Sequence, residues 1–300
     1  MPRKVLFATD LSKYARAVTD CVAGLSQSGV REVVLLHVVD AALSYVEGAV
    51  GFDIVGQLKT DAQQSLAAEA HRLEEHGLAV RTRVEVGVPG KEIARVAEEE
   101  DVWLIAVGAY GRSLLEDVLL GSVAERVLHL ARRPVLVERP RVLAGLNAAE
   151  CRRRGAYLFA RILLPTDFSP AAGVAQGFVA GLSAPLPQEV VCLHVLEDRA
   201  WRGRAAEAVA RLEAEAEGRL QRIVADLVQR GVPARSRLER GAPVDKIVAV
   251  AAEEGVGSVV MGSRGRGRVA ELLLGSVAEG VVRRSRGPVV VVPQRGADGG

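Results

Sequence analysis

Cysteine is scarce: Cys21, Cys151 and Cys192 are the only ones in 300 residues, and no two form a C-x-x-C pair. That spacing excludes a disulfide framework and a cysteine-based zinc site, and reduced, intracellular thiols are the natural reading. Aromatic residues make up only 4%, and no nucleic-acid recognition motif is present. A net charge of +2 leaves no general attraction to nucleic acid or to an anionic membrane. No apolar run approaches the ~20 residues of a membrane span. The stretch from Val5 to Ala8 behind Met-Pro-Arg-Lys is too short for a signal peptide. The expectation is a soluble, cytoplasmic protein with neither nucleic acid nor membrane as a partner.

Three standard phosphate motifs are missing as well. There is no G-x-x-x-x-G-K-[ST], and a kinase-like glycine loop would lack its lysine and catalytic-loop partners. Gly265-Arg-Gly267-Arg-Val-Ala270 superficially matches the dinucleotide fingerprint. It follows the fourth expected strand rather than the first, and no acidic residue lies near position 285, so the match is rejected.

What is present is a repeat. Gly108-x-x-Gly111, nine residues, then Gly121-Ser122 recurs as Gly262-x-x-Gly265, nine residues, then Gly275-Ser276, and 262 less 108 gives an offset of 154. Val5-Leu-Phe-Ala-Thr-Asp10-Leu-Ser12 pairs with Ile162-Leu-Leu-Pro-Thr-Asp167-Phe-Ser169, and Val33 to Val38 pairs with Val190 to Val195, both at an offset of 157. Gly87-Val-Pro-Gly-Lys91 pairs with Gly241-Ala-Pro-Val-Asp245, and Pro134 to Val137 with Pro288 to Val291, again at 154. The slip falls between the second strand and Gly87, where residues 41–56 form a longer loop than residues 197–204. One unit has been written twice, and 300 residues suit two domains that each bury a core.

Within each unit, short runs rich in Val, Ile and Leu read as strands buried on both faces, as in a parallel sheet. Helical patterns lie between them. Val209, Leu212, Ala216, Leu220, Ile223 and Leu227 recur at three- and four-residue steps, with Gly231 as a stop. Ser12 and Ser169 suit N-caps, and Pro170 suits a first helical turn. The order per unit is β-α-β-α-β-α-β-α-β, a doubly wound α/β layer. The domains are expected at 1–139 and 161–300, joined by a linker at 140–160 in which Arg152-Arg-Arg154 is solvated; the last five or so residues are expected to fray.

In such a sheet, ligands bind beyond the carboxyl ends of strands where the strand order reverses. If the order is 3-2-1-4-5, the glycine framework after strand four and Asp10 or Asp167 after strand one flank that crevice. A carboxylate there can accept from a base amine or a ribose hydroxyl, or it can simply cap the following helix. The amides of Gly108 to Arg112 can face phosphate without a Cβ in the way. Gly121-Ser122-Val123 opens a helix whose expected apolar face is Val123, Val127 and Leu130, and its first N–H groups and the Ser122 hydroxyl offer donors to an anion. Gly275-Ser276-Val277 repeats the arrangement. His37 and His194 lie inside apolar runs and read as satisfied core residues, with no partner spaced for a triad. His71 and His76 do not share a helix face, and His129 reads as a surface residue. The acidic runs Glu98 to Asp101 and Glu253-Glu254 read as solvated helix ends.

At these residues the chain resembles the universal stress protein family in its tandem form. The family hallmark is G-x2-G-x9-G-[S/T] after strand four with an Asp after strand one, and both units carry it. The resemblance implies two tandem doubly wound five-stranded parallel sheets of strand order 3-2-1-4-5, akin to the adenine-nucleotide α-hydrolases. It also implies an internal pseudo-dimer, with a second copy as a further candidate partner and Pro134–Val137 and Pro288–Val292 as the contact strands. The glycine framework marks the branch of the family that binds ATP. By resemblance, Asp10 contacts adenine or ribose, Val38 lines the adenine pocket, and Gly108, Gly111, Arg112, Gly121, Ser122 and Val123 surround ribose and phosphates. Asp167, Val195, Met261, Gly262, Gly265, Arg266, Gly275, Ser276 and Val277 are the matching set. Tyr110 stands where the second unit has Arg264, so the second site is expected to hold phosphate at least as well as the first.

The leading expectation is a stress-response or signalling protein that binds ATP with Mg²⁺ and hydrolyses it slowly at most, since no base or nucleophile is placed for catalysis. An interaction protein with the same fold and empty sites is the alternative. An enzyme of adenylate chemistry on a related fold is the third reading.

Overall fold

The computed structural model describes residues 3–12, 15–40, 54–110, 120–139, 142–143, 145–182, 187–201, 203–265 and 274–294. The loop expected at 41–56 lies outside these residues up to position 53, as does the tail from 295. The chain divides into two compact units, Met1–Ala156 and Tyr157–Gly300.

In the first unit the elements are β1 (Arg3–Ala8), α1 (Ala15–Gly24), β2 (Val30–Asp40), α2 (Ile54–Glu74), β3 (Ala79–Gly87), α3 (Pro89–Glu99), β4 (Leu104–Gly108), α4 (Ser122–Leu130), β5 (Val135–Glu138) and α5 (Ala148–Tyr157). The strands lie in the order β3-β2-β1-β4-β5, every neighbouring pair parallel. The second unit has β6 (Arg161–Pro165), α6 (Pro170–Ala180), β7 (Glu189–Leu196), α7 (Ala206–Gln229), β8 (Ala234–Arg240), α8 (Pro243–Glu253), β9 (Ser258–Gly262), α9 (Ser276–Arg284) and β10 (Val289–Val292), with a short helical turn at Asp198–Trp201. Its order is β8-β7-β6-β9-β10, also all parallel. Each unit is therefore a 3-2-1-4-5 sheet, the order that the family resemblance implied.

The central strands carry the core because helices cover both their faces. Val5, Leu6 and Phe7 of β1 and Ile162, Leu163 and Leu164 of β6 are buried. The helix expected over Val209–Leu227 is α7, which buries Ala216, Leu220 and Leu227 and stops before Gly231 at φ +80°. Ser169 caps α6, its hydroxyl accepting from Ala172 N at 3.3 Å with Pro170 in the first turn.

Three expectations change. The apolar face of α4 is Ala124, Val127 and Leu128, while Val123 and Leu130 are about two-fifths exposed. α9 does the same with Ala278, Val281 and Val282. A small first-turn residue lets the helix start close to the sheet and turns the preceding valine outward. The acidic helix ends are not simply solvated. Glu100 pairs with Lys4 at 3.6 Å, with Arg83 at 3.3 Å and with Arg81. Glu254 pairs with Arg161 at 3.0 Å, Arg235 at 2.5 Å and Arg237 at 2.8 Å. The hydrogen bond from Arg235 leads in holding the Glu254 carboxyl below the usual carboxylate range. Arg81 and Arg83 alternate along the edge strand β3 and Arg235 and Arg237 along β8, so the helix ends clamp strands whose charge discourages pairing with another chain. Finally, Arg154 is not a solvated linker residue. Its Nε is buried, and its charge acts on Glu138.

α5 lies against α1 through glycines. A Cβ on Gly155 would overlap the carbonyl oxygen of Cys21, and one on Gly24 would overlap that of Arg152. We expect Gly155→Ala to destabilise the first unit by about 1–3 kcal/mol, because backbone on both helices would have to move; denaturant unfolding measures this. Beside the helix pair, burial pushes the Glu138 carboxyl up to about 7 against the opposing pull of Arg154. A raised carboxyl pKa means that the folded state holds the proton more tightly. Its contribution is complete below the unfolded value near 4.5 and is lost as pH rises through about 7. The stability advantage of Glu138→Gln over the parent should therefore grow as pH rises from 5, reaching on the order of 3 kcal/mol by pH 8, in paired melting curves.

Candidate functional site

Both crevices begin at a four-residue turn after the first strand of the unit. In the first, Thr9 N donates to Leu36 O at 2.9 Å, which extends the ladder one residue past β1. Leu11 then takes a left-handed conformation, φ +57°. Leu11 N donates to Thr9 Oγ1 at 3.1 Å and Ser12 N to Asp10 Oδ1 at 3.0 Å. The second unit repeats this: Thr166 N to Leu193 O at 2.8 Å, Phe168 at φ +63°, Phe168 N to Thr166 Oγ1 at 3.0 Å and Ser169 N to Asp167 Oδ1 at 3.0 Å. Each aspartate thus holds its own turn through one oxygen and is half-buried at the carboxyl end of the sheet.

The histidines fix these turns. His37 Nδ1 lies 2.8 Å from Thr9 O, and His194 Nδ1 lies 2.7 Å from Thr166 O. A carbonyl only accepts, so Nδ1 carries the hydrogen in both rings. They are satisfied histidines, as the apolar strands suggested, with a positioning role that the pattern did not reveal. In the second unit the His194 ring also lies 4.4 Å from the Phe168 ring, and the Arg219 guanidinium sits 4.0 Å over the same phenyl. Leu11 takes the place of Phe168 in the first unit, so this stack is particular to the second.

The glycine framework closes on the same end of the sheet. Ala109 N donates to Glu138 O at 2.6 Å and Gly121 N to Ala109 O at 2.7 Å; Ser263 N donates to Val292 O at 2.9 Å and Gly275 N to Ser263 O at 2.7 Å. These bonds bring the start of α4 to the end of β4 and the start of α9 to the end of β9. Gly121 and Gly275 occupy the N-cap positions with extended backbone and no side-chain cap, so the first-turn N–H groups remain as donors. In the second unit the parts converge. A Cβ on Gly265 would stand 2.9 Å from Asp167 Oδ2, and one on Gly275 would stand 3.3 Å from Arg264 Cα.

The remaining site residues divide by environment. Val38 and Val195 are half-buried near the ends of β2 and β7, and Ser122, Val123 and Ser276 are exposed at helix starts, with Val277 half-buried. Gly108 ends β4. Met261 and Gly262 are buried in β9, and Gly262 admits α6, since a Cβ there would stand 2.5 Å from Ala171 O. Gly111, Arg112 and Arg266 lie outside the described residues. Tyr110 receives a hydrogen bond on its hydroxyl from Arg139 Nη1 at 3.1 Å, and the Arg139 cation lies 5.5 Å from its ring. Thr9, Thr166 and Ser263 belong to the frame of the site and were not singled out from sequence, although the repeated Thr-Asp pair carried the signal for the first two. Arg219 gave no signal, since it lies on a charged helix whose partner is distant in sequence. Among the described residues no group of three or more His, Cys, Asp or Glu is placed to hold a metal ion, and no helix is long and apolar enough to cross a membrane.

Comparison with known proteins agrees with this fold. The model of the universal stress protein family matches residues 1–139 and again 158–293. Universal stress protein MJ0577 of Methanocaldococcus jannaschii is 33% identical over 153 residues, covering 46% of this chain and 94% of its own. A universal stress protein of Mycolicibacterium smegmatis is 30% identical over 232 residues, covering 74% of this chain and 71% of its own. The crystal structure of a universal stress protein from Archaeoglobus fulgidus superposes with a TM-score of 0.68 at 27% identity, covering 100% of this chain and 98% of that one. With the family's model matched in both units and its fold formed in each, the chain belongs to the universal stress protein family.

Proposed function

We propose that the chain is a cytoplasmic stress-response or signalling protein that binds ATP with Mg²⁺ in the crevice of each unit and hydrolyses it slowly at most. The observation that carries this reading is the convergence in the second unit of Asp167, Gly265 and the uncapped start of α9. A carboxylate suits a ribose or adenine donor, and backbone amides at a helix start suit phosphate. Gly265 lets Asp167 approach the loop and Gly275 lets the Arg264 backbone approach the start of α9, where a Cβ would crowd each contact, so carboxylate, loop amides and helix start lie together as a polyphosphate needs. Asp10, Val38, Gly108, Gly111, Arg112, Gly121, Ser122 and Val123 form the first site in this reading. Asp167, Val195, Met261, Gly262, Gly265, Arg266, Gly275, Ser276 and Val277 form the second. Mg²⁺ bound with the nucleotide would supply neutralisation of phosphate charge beside the loop amides and helix starts.

Efficient hydrolysis requires a base aimed at water. His37 and His194 spend Nδ1 on backbone carbonyls, and Asp10 and Asp167 each spend one oxygen on a turn amide. Binding rather than turnover is what such an arrangement favours.

Isothermal titration with ATP and Mg²⁺ tests the reading, with an aliquot denatured first to look for carried nucleotide. Two sites per chain are expected, the second unit the tighter because Arg264 replaces Tyr110. Gly275→Val should weaken the tighter site at least tenfold, with Gly121→Val acting likewise on the other and melting curves checking that each variant stays folded. Unchanged affinity in both variants would remove the phosphate role. Asp167→Ala should lower ATP affinity by about tenfold, equivalent to about 1.4 kcal/mol. A loss of stability without loss of affinity would reduce that aspartate to a turn residue. No binding heat and no carried nucleotide would favour an interaction protein with empty sites.

A further inference from the structure

The contact between α1 and α5 holds two thiols that the nucleotide site does not use. Cys21 on α1 and Cys151 on α5 are both buried free thiols. Their side chains interact with each other. The helix register explains why. Gly155 rests on the backbone of Cys21, and Gly24 rests on that of Arg152. Cys151 stands four residues before Gly155 and Cys21 three before Gly24, so both thiols lie on the touching faces. A disulfide requires Cβ atoms ~3.8 Å apart, and a seam where α1 and α5 meet backbone to backbone offers that close an approach with little movement.

The surroundings are polar for a helix seam. The Glu138 carboxyl from β5 and the Arg154 guanidinium from α5 act electrostatically on both sulfurs, and Asp20 from α1 acts on Cys151. Asp20 in turn accepts from Arg72 of α2 at 3.2 Å. Glu138 Oε2 and Arg154 Nε are buried and have no hydrogen-bond partner among the described residues. Nothing comparable is built in the second unit. The offset of 157 puts Phe178 at the place of Cys21, and the offset of 154 puts Val292 at the place of Glu138. The cluster has been added to one copy of a repeated fold.

We propose that Cys21 and Cys151 are a redox-responsive pair that a small hydroperoxide converts to a disulfide, clamping α5 to α1. One sulfur, as its thiolate, attacks the peroxide O–O bond and becomes a sulfenic acid; the departing oxygen takes up the thiol's proton and leaves as alcohol, or as water from hydrogen peroxide. The second thiol displaces the sulfenic hydroxyl, the S–S bond forms, and a water leaves. The two sulfurs together lose two electrons and the peroxide gains them. Burial pushes both thiols up, which keeps thiolate scarce. Oxidation is therefore slow and passes through brief opening of the seam.

The test uses the full chain, folded and reduced, treated with hydrogen peroxide, blocked with N-ethylmaleimide and digested without reductant. The expected product is one linked peptide pair containing Cys21 and Cys151, an intact mass lower by two hydrogens, and reversal by dithiothreitol. The melting temperature should rise by several degrees, because the link closes a long loop in the unfolded chain. Cys192→Ser should behave as the parent, and Cys151→Ser should lose both the mass change and the melting shift. Mapping of the unsubstituted chain decides the matter even if a variant folds poorly. The proposal is overturned if Cys21 and Cys151 remain thiols after Cys192 has been oxidised, if either goes to sulfinic acid instead of linking, or if the link joins another cysteine or two chains.

Discussion

The crevice of each unit depends on one hydrogen bond, from the imidazole Nδ1 of the second strand to the carbonyl of the threonine that ends the first. The residue after the aspartate sits in the left-handed region, which costs a side-chain-bearing residue roughly 1–2 kcal/mol. The threonine hydroxyl and the aspartate oxygen each accept one turn amide and offset that cost locally. The histidine adds the tie between strands. It anchors the turn to β2 or β7, so that the aspartate is held by the sheet and not by the loop alone. In the second unit the aspartate fixed in this way lies beside Gly265 with little conformational freedom left.

The two units share this frame and differ in what surrounds it. In the second, the Phe168 ring contacts both the Arg219 guanidinium and the tilted His194 ring, and Arg264 stands in the glycine loop. In the first, leucine replaces the phenyl, Tyr110 replaces the arginine, and its hydroxyl is held by the buried Arg139. The turn that carries Asp167 is therefore packed by a cation and an aromatic ring. The first crevice is bordered by a tyrosine whose arginine is already engaged. The doubled chain thus gives one frame two unequal surroundings.

Much of the fold was legible because it rests on local pattern. Apolar runs buried on both faces call for a parallel sheet, and a parallel sheet calls for crossover helices, so Val5–Ala8 and the stepped apolar residues of α7 could be placed without coordinates. The α4 face was misread because Val123, Val127 and Leu130 satisfy the period as well as Ala124, Val127 and Leu128 do. Only the tether from Gly121 to Ala109 fixes the rotation of the helix. The acidic helix ends looked solvated because their partners, Arg83 and Arg237, lie on strands 16 or 17 residues away. Such pairs have no spacing rule, unlike pairs within a helix.

By itself the sequence determined the repeat, the alternation of strand and helix, and the chemical character of the two loops at the sheet end. Each of these is written in residues a few positions apart, where periodicity and backbone preference act directly. The tertiary structure decided that Asp167 meets Gly265, that His194 reaches back to Thr166, and that Cys21 faces Cys151 across two glycines. Those contacts join residues from 28 to 130 positions apart (194 less 166, and 151 less 21). Chain closure over such distances is set by packing and register, which no local pattern encodes.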